Sequence, residues 1–395
     1  MPEPMVVIGN GIAGSTAALT LRAEGYRGSI VLIGQEPDAP YRRPPLSKGF
    51  LRGEMAAQSL RLYTSDTWTR LDIKLLTSTT VAAIDTRRRT VDLGTRAPLP
   101  YDRLLLATGA YPRPWPSAHR LAGVHTLRTL GQARALSRQL TPGARLLVIG
   151  AGMIGLEVAA CARVRDCQVT VIEAAPHPLA HLLPAEVSAP LTALHRARGV
   201  GLHTFVHLQD LSAGDNGVLT ATDRSGRSWE ADVVVVATGT RANAELAGEA
   251  GLAVDDGIVV DRYCATSEPG IFAAGDVTSQ PDALLGGHRR IEQWANAQEH
   301  GVVAALNMLG KPMAHVPLPW CWTDQFGTKV QICGWPLAAD RTRLSGDVDA
   351  RDFTATFHRE GLLIGAVCFN RPAQFRDLRH QITLTLPAVD GDGPG

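Results

Sequence analysis

The chain has 395 residues, enough for two or three separate cores. Apolar residues make up 45% and charged residues 19%, and a formal charge of +1 excludes a global electrostatic case for nucleic-acid or membrane-surface binding. The most apolar stretch, residues 146–162, contains a Gly-rich turn and Glu157, so it reads as a strand plus a buried helix, not a membrane span.

Met5-Val6-Val7-Ile8 predicts a strand and Ile12 to Ala23 a helix, with Gly9-Asn10-Gly11-Ile12-Ala13-Gly14 between them. Because the chain enters this unit almost at once, no room is left for a signal peptide, and a cytoplasmic location is expected. Residues 29–33 form a second strand, which closes a βαβ unit. A loop rich in Pro and Arg follows over residues 37–48. Val91-Asp92-Leu93 reads as a hairpin strand, and residues 101–107 as a strand ending in Ala107-Thr108-Gly109. Pro112, Pro114 and Pro116 mark a rigid linker and a boundary.

The same plan then repeats. Leu146-Leu147-Val148-Ile149 leads into Gly150-Ala151-Gly152-Met153-Ile154-Gly155, and the unit closes on Val169-Thr170-Val171-Ile172-Glu173. A later strand, Val233 to Val236, again ends in Ala237-Thr238-Gly239. Gly270 to Asp276 reads as a strand with a Gly-Asp turn, and residues 293–309 as a helix. From Pro317 the pattern changes to short strands with aromatics, and residues 390–395 are expected to be disordered.

One GxGxxG is weak evidence. Two, each between a strand and a helix, imply two nucleotide cofactors on one polypeptide and a machine that moves electrons between them. In each fingerprint the first Gly permits the tight turn and the second lets backbone approach a pyrophosphate. The third lets helix and strand pack closely, and the helix N-terminus faces the phosphate charge. Glu173 stands where an acid contacts ribose hydroxyls and repels a 2′-phosphate, which favours NADH over NADPH. In the first unit either Gln35 or Glu36 fits the ribose contact, and Glu36 also fits a solvated loop charge. Asp276 fits a cofactor hydroxyl or a helix N-cap. Glu157, expected on the first turn of its helix, fits a helix-dipole acid.

No two of the six cysteines are spaced as CxxC, which argues against a redox dithiol and against a Cys-held zinc or iron–sulfur site. Reduced, buried thiols and no metal are expected.

Together these residues resemble the ferredoxin reductases of the glutathione-reductase fold that serve class I cytochrome P450 and Rieske oxygenase systems. The resemblance spans residues 6–382. Its most specific marks are the run Pro40 to Lys48 and the run Trp322-Thr323-Asp324-Gln325, with Leu127-Arg128-Thr129 beside them. It implies an α/β protein with two Rossmann-like dinucleotide-binding domains and a C-terminal α+β domain. Residues 1–110 and 243–316 would bind FAD, residues 111–242 NADH, and residues 317–395 would form an interface domain.

The resemblance also implies roles. Lys48 would sit beside the flavin and pair with Glu157, the two acting as the catalytic pair. Arg128 and Asp276 would hold the FAD pyrophosphate and ribityl chain, and Trp294 and Val81 would contact its two ends. Arg43, Ala107, Thr108, Gly109 and Gly275 would join the FAD site, and Ile154, His181 and Gly239 the NADH site. Trp320 and Trp322 would line the face where nicotinamide and the partner approach, although ordinary packing of the third domain explains them too.

Some positions depart from the family pattern. Gln35 replaces an acid, Arg42 an Asp, His181 an Arg, Cys321 an aromatic, and Gly131-Gln132 stands where an acid is common.

The expected activity is that of an NADH-dependent ferredoxin reductase. It would pass electrons to a [2Fe-2S] or other small ferredoxin and so, indirectly, to a P450 or Rieske oxygenase, working as a monomer or weak dimer. An NADH oxidase or quinone reductase with a diffusible acceptor is the rival enzyme. A redox sensor that binds FAD and NADH without turnover is the rival outside catalysis. Residues 318–395 are close to charge balance, so a basic docking rim would draw on Arg289, Arg290, Lys311 or Lys329.

Overall fold

The computed structural model describes residues 3–94, 97–116, 121–215 and 217–386. The expected disordered tail lies outside them. Two five-stranded parallel sheets share one plan. In the first, Met5–Ile8 lies between Ile30–Ile33 and Arg103–Leu106, with Ile73–Leu76 and Ile271–Ala273 at the edges. In the second, Arg145–Ile149 lies between Gln168–Ile172 and Val233–Val236, with Val200–His203 and Val124–His125 at the edges. Central strands such as Met5–Ile8 and Val233–Val236 are buried along their whole length, as apolar runs covered on both faces must be.

The first sheet is assembled from two distant parts of the chain. Its edge strand Ile271–Ala273 and the helix Trp294–Met308, which packs along the helix Ile12–Ala23, both follow the second sheet in sequence. The two connections between these units are not a polyproline spacer. Ala110–Pro112 pairs antiparallel with Thr240–Ala242, so the outgoing and returning segments form one ladder, and Pro112 sits at its end opposite Thr240. Strand pairing, and not proline alone, therefore holds the two segments together at this point.

The third unit is an antiparallel sheet of five strands, ordered Trp320–Gln325, Thr328–Gly334, Leu362–Phe369, Asp352–Arg359 and Arg341–Asp347. The helix Pro372–Thr385 covers one face through buried Phe375 and Ile382, against Cys333, Ala366 and Cys368. The strand Trp320–Gln325 alternates. Cys321, Thr323 and Gln325 are buried, while Trp320, Trp322 and Asp324 are half-buried. This strand packs against both Met153–Val164 and Trp294–Met308, which brings the third unit to the junction of the other two.

Candidate active site

One cavity of about 1150 Å³ runs through that junction. Both Gly-rich turns open onto it, with Gly9, Gly11 and Ala13 from the first and Gly150, Gly152 and Ile154 from the second. The third glycines lie behind the turns. A Cβ on Gly14 would stand 1.9 Å from the carbonyl oxygen of Gly9, and one on Gly155 2.0 Å from that of Gly150. The helices therefore approach their strands more closely than any side chain allows. The middle glycines face space: nothing lies within 4 Å of a Cβ built on Gly11, and only the His181 ring stands near one on Gly152. Backbone N–H groups are thus left exposed to a ligand at each helix N-terminus, which suits a pyrophosphate.

Around the first turn the cavity is lined by Gln35, Glu36, Arg43, Val81, Ala107, Thr108, Gly109, Arg128, Gly275, Asp276 and Trp294. Glu36 is not a solvated charge. Its carboxylate pairs with Arg43 at 2.6 Å and accepts a hydrogen bond from the Tyr41 hydroxyl at 2.5 Å. Arg128 pairs with Asp276 at 2.7 Å, joining the start of the helix Leu130–Gln139 to the Gly-Asp turn 148 residues away. Asp276 is therefore an ion-pair partner on the cavity wall, not an N-cap. Gln132 completes a capping box with Thr129, which gives it the structural work an acid does at that position.

Two polar atoms at the start of the helix Trp294–Met308, Trp294 Nε1 and Gln293 Oε1, are buried without a protein partner. A donor, an acceptor and an Arg–carboxylate pair beside an open Gly turn fit a flavin dinucleotide with its ring amide groups, polyol chain and pyrophosphate.

Around the second turn stand Glu173, His181 and Gly239. The Glu173 carboxylate accepts from the backbone N–H of Ala151 at 2.6 Å and of Ala175 at 2.8 Å, so its place beside the turn is fixed. Burial lowers the His181 pKa, partly offset by Glu173. Arg224 also lines the cavity. Its backbone bonds His207, next to Val206, which in turn bonds Glu173. Sequence spacing gave no hint of this cation, because 51 residues separate it from Glu173.

The two halves meet at Lys48 and Glu157. Lys48 Nζ lies 2.8 Å from Glu157 Oε1, and the Glu157 side chain is 2% exposed. Ser47 donates to Glu157 Oε2, and Thr323 donates to Oε1 at 2.6 Å. Glu157 sits one turn into its helix Met153–Val164, not in the first turn, and its partner is a lysine from another domain instead of the helix dipole. Ser47 and Thr323 lie in the two runs that mark the family resemblance, but the sequence alone assigned neither of them a role.

Trp320 is not among the residues that line the cavity, although its ring centroid lies 5.6 Å from that of Trp322. The Arg379 guanidinium sits 5.0 Å from its ring centroid and Phe375 packs beside it, both from the covering helix. Trp322 does reach the cavity and meets Trp294 edge-on at 6.5 Å between ring centroids. Cys321 also lines it, but burial pushes the Cys321 and Cys161 thiols up to about 12, and all six cysteines are free. Among the described residues no cluster could hold a metal ion, and no helix is long and apolar enough to cross a membrane.

Residues 3–301 match the pyridine nucleotide-disulphide oxidoreductase family and residues 320–388 the reductase C-terminal family. Rhodocoxin reductase of Rhodococcus erythropolis is 37% identical over 97% of this chain and 90% of its own length. The ferredoxin–NAD(+) reductase component of the anthranilate 1,2-dioxygenase system of Burkholderia cepacia is 40% identical over 93% of this chain and 91% of its own. The reductase in the crystal structure of the covalent putidaredoxin reductase–putidaredoxin complex superposes with a TM-score of 0.94, at 36% identity, over 98% of this chain and 94% of that one. The chain belongs to the pyridine nucleotide-disulphide oxidoreductases, among the ferredoxin reductases of the putidaredoxin reductase type. It is an oxidoreductase whose cofactors are FAD and NADH.

Proposed function

We propose that this protein takes electrons from NADH and delivers them to a small [2Fe-2S] or similar ferredoxin that supplies a P450 or Rieske oxygenase. The observation that carries the reading is that both Gly turns open onto one cavity, with the Lys48–Glu157 pair where the halves meet. FAD, when bound, supplies acceptance of two electrons and their release one at a time.

The chain's own residues supply the rest. The first Gly turn, Arg128 and Asp276 would hold FAD, and the second turn and Glu173 would hold NADH. Lys48 sets a positive charge at the junction, which offsets negative charge developing there. Glu157 balances that lysine and offers a fixed acceptor to a nicotinamide carboxamide, and so acts by positioning. Without a CxxC pair, and with thiols held protonated, no dithiol relay operates.

Partner docking would fall near Trp322. Arg289, Arg290 and Lys311 are each already paired, with Asp282, Glu292 and Glu24 respectively, which leaves exposed Lys329 as the one of the four with no ion pair among the described residues. A monomer or weak dimer in the cytoplasm completes the reading.

The test is cytochrome c reduction with NADH and a panel of ferredoxins. Ferredoxin should accelerate it, while oxygen should oxidise NADH slowly. Fast oxygen consumption that ferredoxin leaves unchanged would point to the oxidase. Trp322→Ala should lower ferredoxin-dependent turnover and spare ferricyanide reduction, because a small oxidant needs no docking surface.

A further inference from the structure

Glu157 is the end of a buried hydrogen-bond chain that crosses two domains. His195, on the helix Ala185–Ala197 of the second domain, lies with Nε2 2.7 Å from Gln325 Oε1. Gln325 Nε2 donates to Thr323 Oγ1 at 3.0 Å, and Thr323 donates to Glu157. His195, Gln325 and Thr323 are each 0% exposed, so bulk water does not reach these groups.

The direction of the chain follows from chemistry alone. A carboxylate paired with Lys48 carries no proton, so the Thr323 hydroxyl must donate to it. That hydroxyl has one proton and can then only accept from Gln325, so the amide NH₂ faces Thr323. The amide oxygen therefore faces His195, whose Nε2 must carry the hydrogen. With Nε2 carrying the hydrogen, His195 Nδ1 is a lone pair, and it finds no hydrogen-bond partner among the described residues. Burial lowers the His195 pKa, which agrees with the neutral ring the chain demands.

We propose that Thr323, Gln325 and His195 are positioning residues for electron entry from NADH. They aim the Thr323 hydroxyl at Glu157 and hold the carboxylate against Lys48. This rests on the reading given under Proposed function. The C-terminal domain thus completes the Lys48–Glu157 pair as well as covering the cavity, and the Thr-Asp-Gln order has a reason. Thr323 and Gln325 share a face at the two-residue spacing of a strand, so one can orient the other.

The test is stopped-flow reduction of the bound flavin by NADH in Thr323→Val, Thr323→Ser and Gln325→Leu, each also combined with Glu157→Gln. Thr323→Val keeps the shape and removes the donor, and should slow reduction about tenfold with FAD content unchanged. Thr323→Ser should recover most of the wild-type rate. Gln325→Leu leaves the hydroxyl free to turn and should slow reduction about threefold. In the Glu157→Gln background the Thr323→Val change should add nothing, whereas a merely structural defect would still add its full effect.

Equal slowing by Thr323→Val and Thr323→Ser, or an undiminished effect in the Glu157→Gln background, overturns the proposal. If Thr323→Val loses its flavin, Gln325→Leu and Thr323→Ser decide: wild-type rates in Gln325→Leu overturn the proposal, and slowing there with recovery in Thr323→Ser supports it. A wild-type flavin that NADH leaves oxidised overturns the functional reading, and this one with it. A wild type that reduces normally beside unaffected variants overturns this one alone.

Discussion

The two Gly turns are near copies in backbone and differ in what surrounds them. In both, the third glycine brings the helix against the first glycine's carbonyl oxygen, 1.9 Å from a built Cβ at Gly14 and 2.0 Å at Gly155. The first turn is enclosed by elements from elsewhere in the chain: Arg128 with Asp276, Glu36 with Arg43, and the start of the helix at Trp294. The second is furnished mostly from its own domain, and Ile154 beside it is 42% exposed. A cradle closed by distant segments is expected to retain its ligand, and one open on its own domain to exchange it. The expectation is a resident cofactor at the first turn and a visiting coenzyme at the second.

Matched substitutions test that contrast most severely. Gly14→Ala should give a colourless or insoluble protein, since the helix cannot move without opening the FAD cradle and the first core together. Gly155→Ala should stay yellow, yet lose NADH-driven flavin reduction by about a hundredfold or more. Flavin absorbance per chain and stopped-flow rates check both. Similar flavin loss in the two variants would erase the distinction.

Next in size is Glu157→Ala, which leaves Lys48 at the junction without its counter-charge. Flavin reduction by NADH should slow about a hundredfold while FAD content stays near wild type. An unchanged rate would make the pair structural only.

Acid should act mainly on the resident side. His315 stacks on His300, whose Nδ1 accepts from the Gly275 N–H on the wall of the cavity beside the first Gly turn. Burial lowers the His315 pKa from 6.5 to about 4 and pushes His300 well down. Between those pH values the unfolded chain takes up a proton that the folded one refuses. Stability is therefore full above about pH 7 and declines as pH falls toward 4, by about 3 kcal/mol for His315. Urea unfolding at pH 7 and 4.5 measures this, and His315→Gln should flatten the slope. Flavin release should track the same window.

The smallest expected effect concerns coenzyme choice. Glu173→Ala should narrow the preference for NADH over NADPH by about tenfold, or about 1.4 kcal/mol. Arg224, on the same cavity wall, supplies a cation that a 2′-phosphate could use once the carboxylate is gone. Equal kcat/KM ratios before and after would show that Glu173 serves only its two backbone partners.

Much of the fold was legible because local chemistry repeats at fixed spacing. Glycines between a strand and a helix, and strands ending in Ala-Thr-Gly, declare themselves within a dozen residues. The helix at Ile12–Ala23 and the strand at Val233–Val236 lie where pattern alone puts them. Contacts made by tertiary packing were not legible. Ser47 and Thr323 reach Glu157 across 110 and 166 residues, and no local periodicity encodes that meeting. Trp320 and Trp322 share a strand face, so alternation treats them alike; only the covering helix, through Arg379 and Phe375, takes Trp320 out of the cavity. The pairing of Arg289, Arg290 and Lys311 was hidden for a similar reason, since a list of cations does not reveal which have already found a carboxylate.

The interrupted layout of the first sheet also sets an order of assembly as the chain emerges during synthesis. The second sheet is continuous in sequence and has all its strands once Val236 is made. The first sheet waits for Ile271–Ala273, and its covering helix for Met308. All strands of the inserted unit are therefore made while the unit that surrounds it still lacks an edge, and one face of the inserted unit also waits for the C-terminal residues that share its core, Phe353 and Phe369 among them. Its outgoing and returning segments, Ala110–Pro112 and Thr240–Ala242, then meet and bring residue 243 back beside residue 109. That short ladder spans the whole insertion, so once it pairs the late strand has only a short search to find its place.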